Sequence, residues 1–200
     1  MQNKKQYILE KAFEVFMAKG YDSASMTVLH QELKISRGAM YRYFESKDDL
    51  FIQVIDKYFF EAIERLMPQY SEDITVPEQI KLIYRHQQQI ANYLDDMAYT
   101  EAKFLNYTAL AIQAAKRYPG FLNKLKKYKE RAFNGWAKSI QKSIEKGDVK
   151  KETNVKIMAR IFTQSMGFFD NETNHFDATF SKGFKNNKKI MDYIYSLIQS

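Results

Sequence analysis

The chain opens with an amphipathic repeat. Ile8, Ala12 and Phe13, with Leu9 and Phe16, recur at helical spacing, and this predicts a helix from about Asn3 to Lys19 with Gly20 as its stop. The pattern then shortens. Val28, Leu29 and Leu33 make one stripe behind Ser25, a good N-cap. Lys34-Ile35-Ser36 interrupts it, and Ser36 can cap a second short helix from Arg37 to Phe44. Ser46, with Asp49 three positions on, has the form of a capping box. A long helix is predicted behind it, from Lys47 to about Met67, where Pro68 ends it. Leu50, Phe51, Val54, Ile55, Tyr58, Phe59, Ala62 and Ile63 form its wide apolar stripe.

Five further helices follow by the same reading. The first runs from the Thr75/Glu78 capping box to about Met97 and carries Gln87 where an apolar residue is expected. The next reaches about Tyr118. Pro119-Gly120 separates it from one stopped by Gly147, and the last two span about Asn154–Asp170 and Asn186–Gln199. The expected fold class is all-α, with about nine helices. Only seven glycines and three prolines interrupt 200 residues. There is no cysteine, so disulfides and thiolate metal sites are excluded. No apolar run approaches the ~18 residues of a membrane span. No membrane association is expected, and the protein is expected in the cytoplasm.

The Arg37–Phe44 helix has unusual chemistry. Met40 and Phe44 give it an apolar stripe, with Ala39 beside them. Arg37, Tyr41, Arg42 and Tyr43 cover most of the rest, with no acid before Glu45. Forked guanidinium groups suit phosphates and guanine edges. Tyr hydroxyls bond phosphates, and Tyr rings pack on sugars or thymine methyls. Gly38 allows close backbone approach, and Lys47 stands at the mouth of the next helix. A short basic-aromatic helix taken alone is more often a solvated face. Net charge adds little. The total is +7, yet cations and acids nearly cancel within residues 1–50. Much of the excess lies in Lys116, Arg117, Lys124, Lys126, Lys127, Lys129 and Arg131, answered there only by Glu130. That run reads as a solvated face, with a second anionic-partner surface as the minor alternative.

Three ordered runs carry a resemblance: I-L-x-x-A-F-x-V-F-x-x-x-G-Y, then S-M-T-V-L, then I-S-R-G-A-M-Y-R-Y-F-E-S-K-D-D-L-F. Over roughly residues 5 to 60 they resemble the tetracycline-repressor (TetR) family of bacterial transcription regulators. Two positions depart from its pattern. His30 stands where a small residue is usual, and Lys34 where the turn often has glycine. The resemblance implies an N-terminal three-helix helix-turn-helix DNA-binding domain, residues 1–47, with the match reaching about 60 through the fourth helix. It implies a larger C-terminal domain, residues 48–200, for effector binding and dimerisation. Double-stranded DNA is then the expected partner. Ser25, Thr27, Ser36, Tyr43 and Lys47 would hold phosphates, and Arg37, Gly38, Tyr41 and Arg42 would lie nearest base edges. The resemblance also implies a homodimer paired through the last two long helices (the eighth and ninth), a small-molecule effector that moves the fourth helix, and repression as the outcome.

An apolar or aromatic effector is expected from the aromatic and sulfur content of the C-terminal half. The candidate pocket is Tyr84, Gln87, Phe104, Tyr107, Thr108, Phe133, Trp136, Phe162 and Met166. Any one of these is better explained as core. A regulator governed by a partner protein is the alternative, and an open cavity among the helices between about 75 and 170 would separate the two. An enzyme is not expected. His30, His86 and His175 are far apart, Glu172-x-x-His175 falls in a polar stretch, and no nucleophile triad, phosphate loop or zinc pattern occurs. No cofactor or metal is expected.

Overall fold

The computed structural model describes residues 4–68, 70, 73–96, 101–165 and 180–200. They form α1 (Lys4–Ser23), α2 (Met26–Leu33), α3 (Arg37–Tyr41), α4 (Lys47–Ile55), a π-helical segment (Asp56–Phe60), α5 (Glu61–Leu66), α6 (Val76–Asp96), α7 (Glu101–Arg117), α8 (Phe121–Lys146), α9 (Val155–Ser165) and α10 (Phe180–Ile198). The expected fourth helix is thus one rod broken by a π turn. Counted as one, it makes nine helices among the described residues, and the fold is all-α. No helix of the described residues is long and apolar enough to cross a membrane.

The caps explain where the helices begin. Ser25 Oγ accepts from Val28 N–H, Ser36 Oγ from Ala39 N–H and Ser46 Oγ from Asp49 N–H, at 3.2, 3.2 and 3.1 Å. The Asp49 carboxylate takes the N–H of Glu45 at 2.9 Å rather than that of the cap. Glu78 accepts both the N–H and the hydroxyl of Thr75, at 2.7 and 2.8 Å.

Helix ends differ from the sequence reading in four places. Gly20 (φ 73°) kinks α1 instead of stopping it, and helical turns continue to Ser23. The α3 helix closes at Tyr41, because the Tyr43 N–H turns back to Met40 O in a tighter i→i+3 bond. The last helix is already helical at Phe180, six residues before its expected start. The π segment interrupts the rod after Ile55. Met166, Glu172 and His175 lie outside the described residues.

Lys34 ends α2 in the left-handed region (φ 51°, ψ 41°), its N–H shared between Gln31 O and His30 O. A side chain pays a steric cost there that glycine escapes. Lys34→Gly is expected to raise stability by about 0.5–1 kcal/mol, read as a higher urea midpoint at unchanged slope.

The chain groups into two compact units. The first joins Met1–Arg65 to Thr100–Leu122, and the second joins Leu66–Tyr99 to Asn123–Ser200. In the first, α1, α4 and α7 pack on one another. Ile8, Ala12, Phe16, Leu29, Leu33, Met40, Phe44, Leu50, Phe51 and Val54 are buried there, as are Leu110, Ala114 and Phe121. In the second, α6 packs along α10. Its core joins Ile80, Ile83, Trp136, Ile140, Phe162, Met191 and Ile194. The Val76 N–H reaches Ser143 Oγ at 2.9 Å, and Ser139 donates to the Gln79 side chain. An isolated bridge between Val149 and Gln199 ties the C-terminus to the turn after α8.

Candidate nucleic-acid interface

The sequence-predicted DNA face is assembled on two short helices. Met40 and Phe44 are fully buried, at 0% and 1% exposure, and hold α3 to the first unit. Facing the other way, Ser36, Arg37, Gly38, Tyr41 and Arg42 are exposed, as are Ser25 and Thr27 at the start of α2. Tyr41 is 47% exposed, much for so large a ring. Tyr43 and Lys47 are half-buried. Both helix starts keep backbone N–H groups beside exposed serine caps, an arrangement that favours phosphate.

His30 is half-buried behind this face. Its ring centroid is 6.4 Å from that of Tyr41, and neither ring nitrogen has a hydrogen-bond partner. The departure from a small residue therefore places an unpaired imidazole beneath the exposed Tyr41.

Lys47 is tied to α1. Its ammonium lies 4.0 Å from the Tyr21 ring centroid, and Arg117 of α7 lies 4.2 Å from the same ring. The Tyr21 hydroxyl donates to the Asp48 carboxylate. Burial, more than the Asp48 bond, pushes the Tyr21 hydroxyl up to about 12. Burial also lowers the Lys47 ammonium from its ordinary value.

Sequence reasoning placed α7 (Glu101–Arg117) but missed that it braces this unit. Gln113 Oε1 accepts from Tyr21 N–H at 2.8 Å, Arg117 pairs with Asp22 at 2.6 Å, and the Tyr118 hydroxyl donates to Asp56 at 2.7 Å. Asp56 opens the π segment. Within that segment, Tyr58 O accepts from the Tyr107 hydroxyl at 3.3 Å, and Phe59 and Phe60 meet the Phe121 ring with centroids 5.4 and 5.1 Å away. The only signal was the one-turn spacing of Gln113 and Arg117, and it does not say where they dock.

Residues 8–54 match the family model "Bacterial regulatory proteins, tetR family". That stretch is of the TetR family. The TetR-family match covers every predicted DNA-facing residue. Over 67 residues the chain is 37% identical to the uncharacterized HTH-type transcriptional regulator YuxN of Bacillus subtilis, covering 34% of this chain and 23% of that protein. Over 73 residues it is 30% identical to the HTH-type transcriptional repressor DhaR of a Mycobacterium species, covering 36% of each. The chain thus matches well under half the length of these curated relatives. A TetR-family regulator structure from Mesorhizobium loti matches along 98% of this chain and 97% of its own, with a TM-score of 0.59 at 18% identity, which shows a shared fold.

The predicted effector residues are divided. Tyr107 and Thr108 belong to the first unit, and both are half-buried. Tyr84, Gln87, Phe133, Trp136 and Phe162 belong to the second. Trp136 and Phe162 are fully buried and stacked, with centroids 4.3 Å apart. Phe133 packs on the same core, and Tyr84 lies under the Lys188 ammonium at 5.8 Å. Gln87 is 5% exposed, and its carbonyl oxygen has no partner. The Phe104 side chain and Met166 lie outside the described residues. Among the described residues no group of three or more His, Asp or Glu side chains could hold a metal ion.

Proposed function

We propose that the protein is a cytoplasmic, sequence-specific DNA-binding repressor that acts as a homodimer and leaves a palindromic operator when a small effector binds. The observation that carries this reading is the exposed Arg37–Gly38–Tyr41–Arg42 face, anchored from behind by Met40 and Phe44. Cations and phenols on a helix held by two buried anchors suit a major groove, with Ser25, Thr27, Ser36, Tyr43 and Lys47 on flanking phosphates.

Dimerisation is supported by apolar side chains left on the surface of α9 and α10. Ile157 and Ile161 are 55% and 38% exposed, and Ile190, Tyr193 and Leu197 are 44%, 66% and 56% exposed. Two such helices per chain suit a self-complementary bundle. For the effector, the buried unpaired carbonyl of Gln87 supports a ligand that brings a hydrogen-bond donor into an otherwise apolar and aromatic surround. A functional role for the fourth-helix rod is supported by its π segment, a feature found frequently at functional sites. To matter, the effector must prefer the released state by roughly 1–3 kcal/mol.

The test is selection of bound duplexes from a random pool at a fixed salt concentration. An enriched inverted repeat is expected, and salt-sensitive binding with no enriched sequence would overturn the reading. In the same assay Lys47→Ala is expected to weaken all sequences alike and to reduce the salt slope by about one unit. It should also lower the melting temperature slightly, since the Tyr21 contact is worth about 0.5–1 kcal/mol.

A further inference from the structure

Tyr21, near the end of α1, is gripped from two other helices. Directly after the kink at Gly20, its N–H donates to Gln113 Oε1 at 2.8 Å. One turn further along α7, the Arg117 guanidinium lies 4.2 Å from the Tyr21 ring centroid. From the start of α4, Asp48 accepts the Tyr21 hydroxyl. Phe51 meets the same ring in an edge-on contact, with centroids 4.7 Å apart. Tyr21 is 6% exposed, so the ring is a fixed platform. The Lys47 ammonium rests on it, 4.0 Å from the centroid. Asp22 pairs with Arg117 at 2.6 Å, and Asp22 and Asp48 offset the repulsion between the two cations.

We propose that Arg117 is a positioning residue for DNA binding: it holds the Tyr21 ring in place and so pre-orders Lys47 for its phosphate, without touching DNA itself. The inference rests on the reading of Lys47 as a phosphate contact. A lysine free in solution gives up side-chain freedom when a phosphate captures it, and one already seated on a fixed ring gives up less. Two cations within about 4 Å of one ring make the coupling direct, since each is attracted by the same ring. The Arg117 guanidinium is occupied by the ring and by Asp22, so it neutralises no phosphate. Arg117 also lies outside residues 8–54, the stretch that matches the family model. Affinity for DNA is thereby set in part from α7.

The test is a fluorescence-anisotropy titration of the full chain against the selected operator and a scrambled duplex, over a series of salt concentrations. The variant is Arg117→Gln combined with Asp22→Asn, which removes the ion pair and keeps the net charge. It should weaken both duplexes by roughly two- to tenfold per reading head, the range set by freeing one long side chain. The salt slope should stay as in the unaltered chain. In a Lys47→Ala background the same pair of substitutions should change neither affinity. Arg117→Lys, which keeps a cation at the ring, should recover part of the loss. The melting temperature should fall slightly in both backgrounds. Equal weakening with and without Lys47 would make Arg117 a general brace and overturn the proposal, leaving the phosphate reading of Lys47 intact. So would unchanged affinity in the paired variant. A salt slope reduced by about one unit would put Arg117 on a phosphate of its own. If Lys47→Ala alone leaves affinity and slope unchanged, the phosphate reading and this inference fall together.

Discussion

Gly135→Ala is expected to destabilise the second unit by about 1–3 kcal/mol, although alanine is the better helix former. A Cβ built at Gly135 falls 2.3, 2.5 and 2.9 Å from Cδ1, Cγ and Cε1 of Tyr70. Those atoms are at the root and side of a ring, and they cannot swing clear as the tip of a long chain would. Tyr70 packs against the core built on Trp136 and Ile140. Its hydroxyl is raised above its ordinary value by burial, so the ring has little room to retreat. The sign should reverse once the ring is removed. In a Tyr70→Ala background, Gly135→Ala should be neutral or stabilising by up to about 1 kcal/mol. Urea unfolding of the two single variants and the double variant reads this cycle directly. A stabilising Gly135→Ala in the otherwise unaltered chain would show that Tyr70 does not lie over α8.

Arg42→Ala is expected to lower operator affinity by about 1–3 kcal/mol per recognition helix, roughly tenfold to a hundredfold, and to relax sequence preference at one position of each half-site. Arg42 is exposed at the end of α3 and is not part of the Met40–Phe44 anchor, so the melting temperature should not move. The contrast with Lys47→Ala is the informative part. A base-reading arginine changes which sequences are selected, whereas a phosphate-holding lysine changes how tightly all of them bind. Both measurements come from one selection experiment on the selected operator and a scrambled duplex. Equal losses on both duplexes for Arg42→Ala would move that residue from base edges to the backbone.

Local chemistry was legible in the sequence wherever one residue decides an event within a few positions. Ser25, Ser36 and Ser46 cap the helices assigned to them, and Thr75 meets Glu78. The α3 face was legible for the same reason, since charge, ring content and the Met40/Phe44 stripe all lie within eight residues. The π segment was not. Tyr58, Phe59 and Phe60 are apolar in a row, so they satisfy an α or a π periodicity equally well. The role of α7 was hidden for a different reason. Gln113 reaches Tyr21 across 92 positions, and no local pattern encodes such a contact. Aromatics in the second unit pose a third limit. Trp136 and Phe162 have the composition of a pocket, but void space, and not residue type, separates a pocket from a stacked core pair.

The discontinuous first unit also bears on how the protein is made. Residues 1–65 contain all of the side chains predicted to face DNA, yet Leu110, Ala114 and Phe121 are buried parts of the same unit. At a synthesis rate of about 5–20 residues per second, the stretch from Arg65 to Leu122 takes roughly 3–11 seconds to follow. During that interval the nascent chain carries α1 to α5 without the α7 brace, with Phe60 lacking the Phe121 and Tyr118 rings that enclose it in the finished fold. A ribosome stalled in this window would display a sticky, half-built headpiece, so chaperone capture and degradation of incomplete chains should be concentrated there.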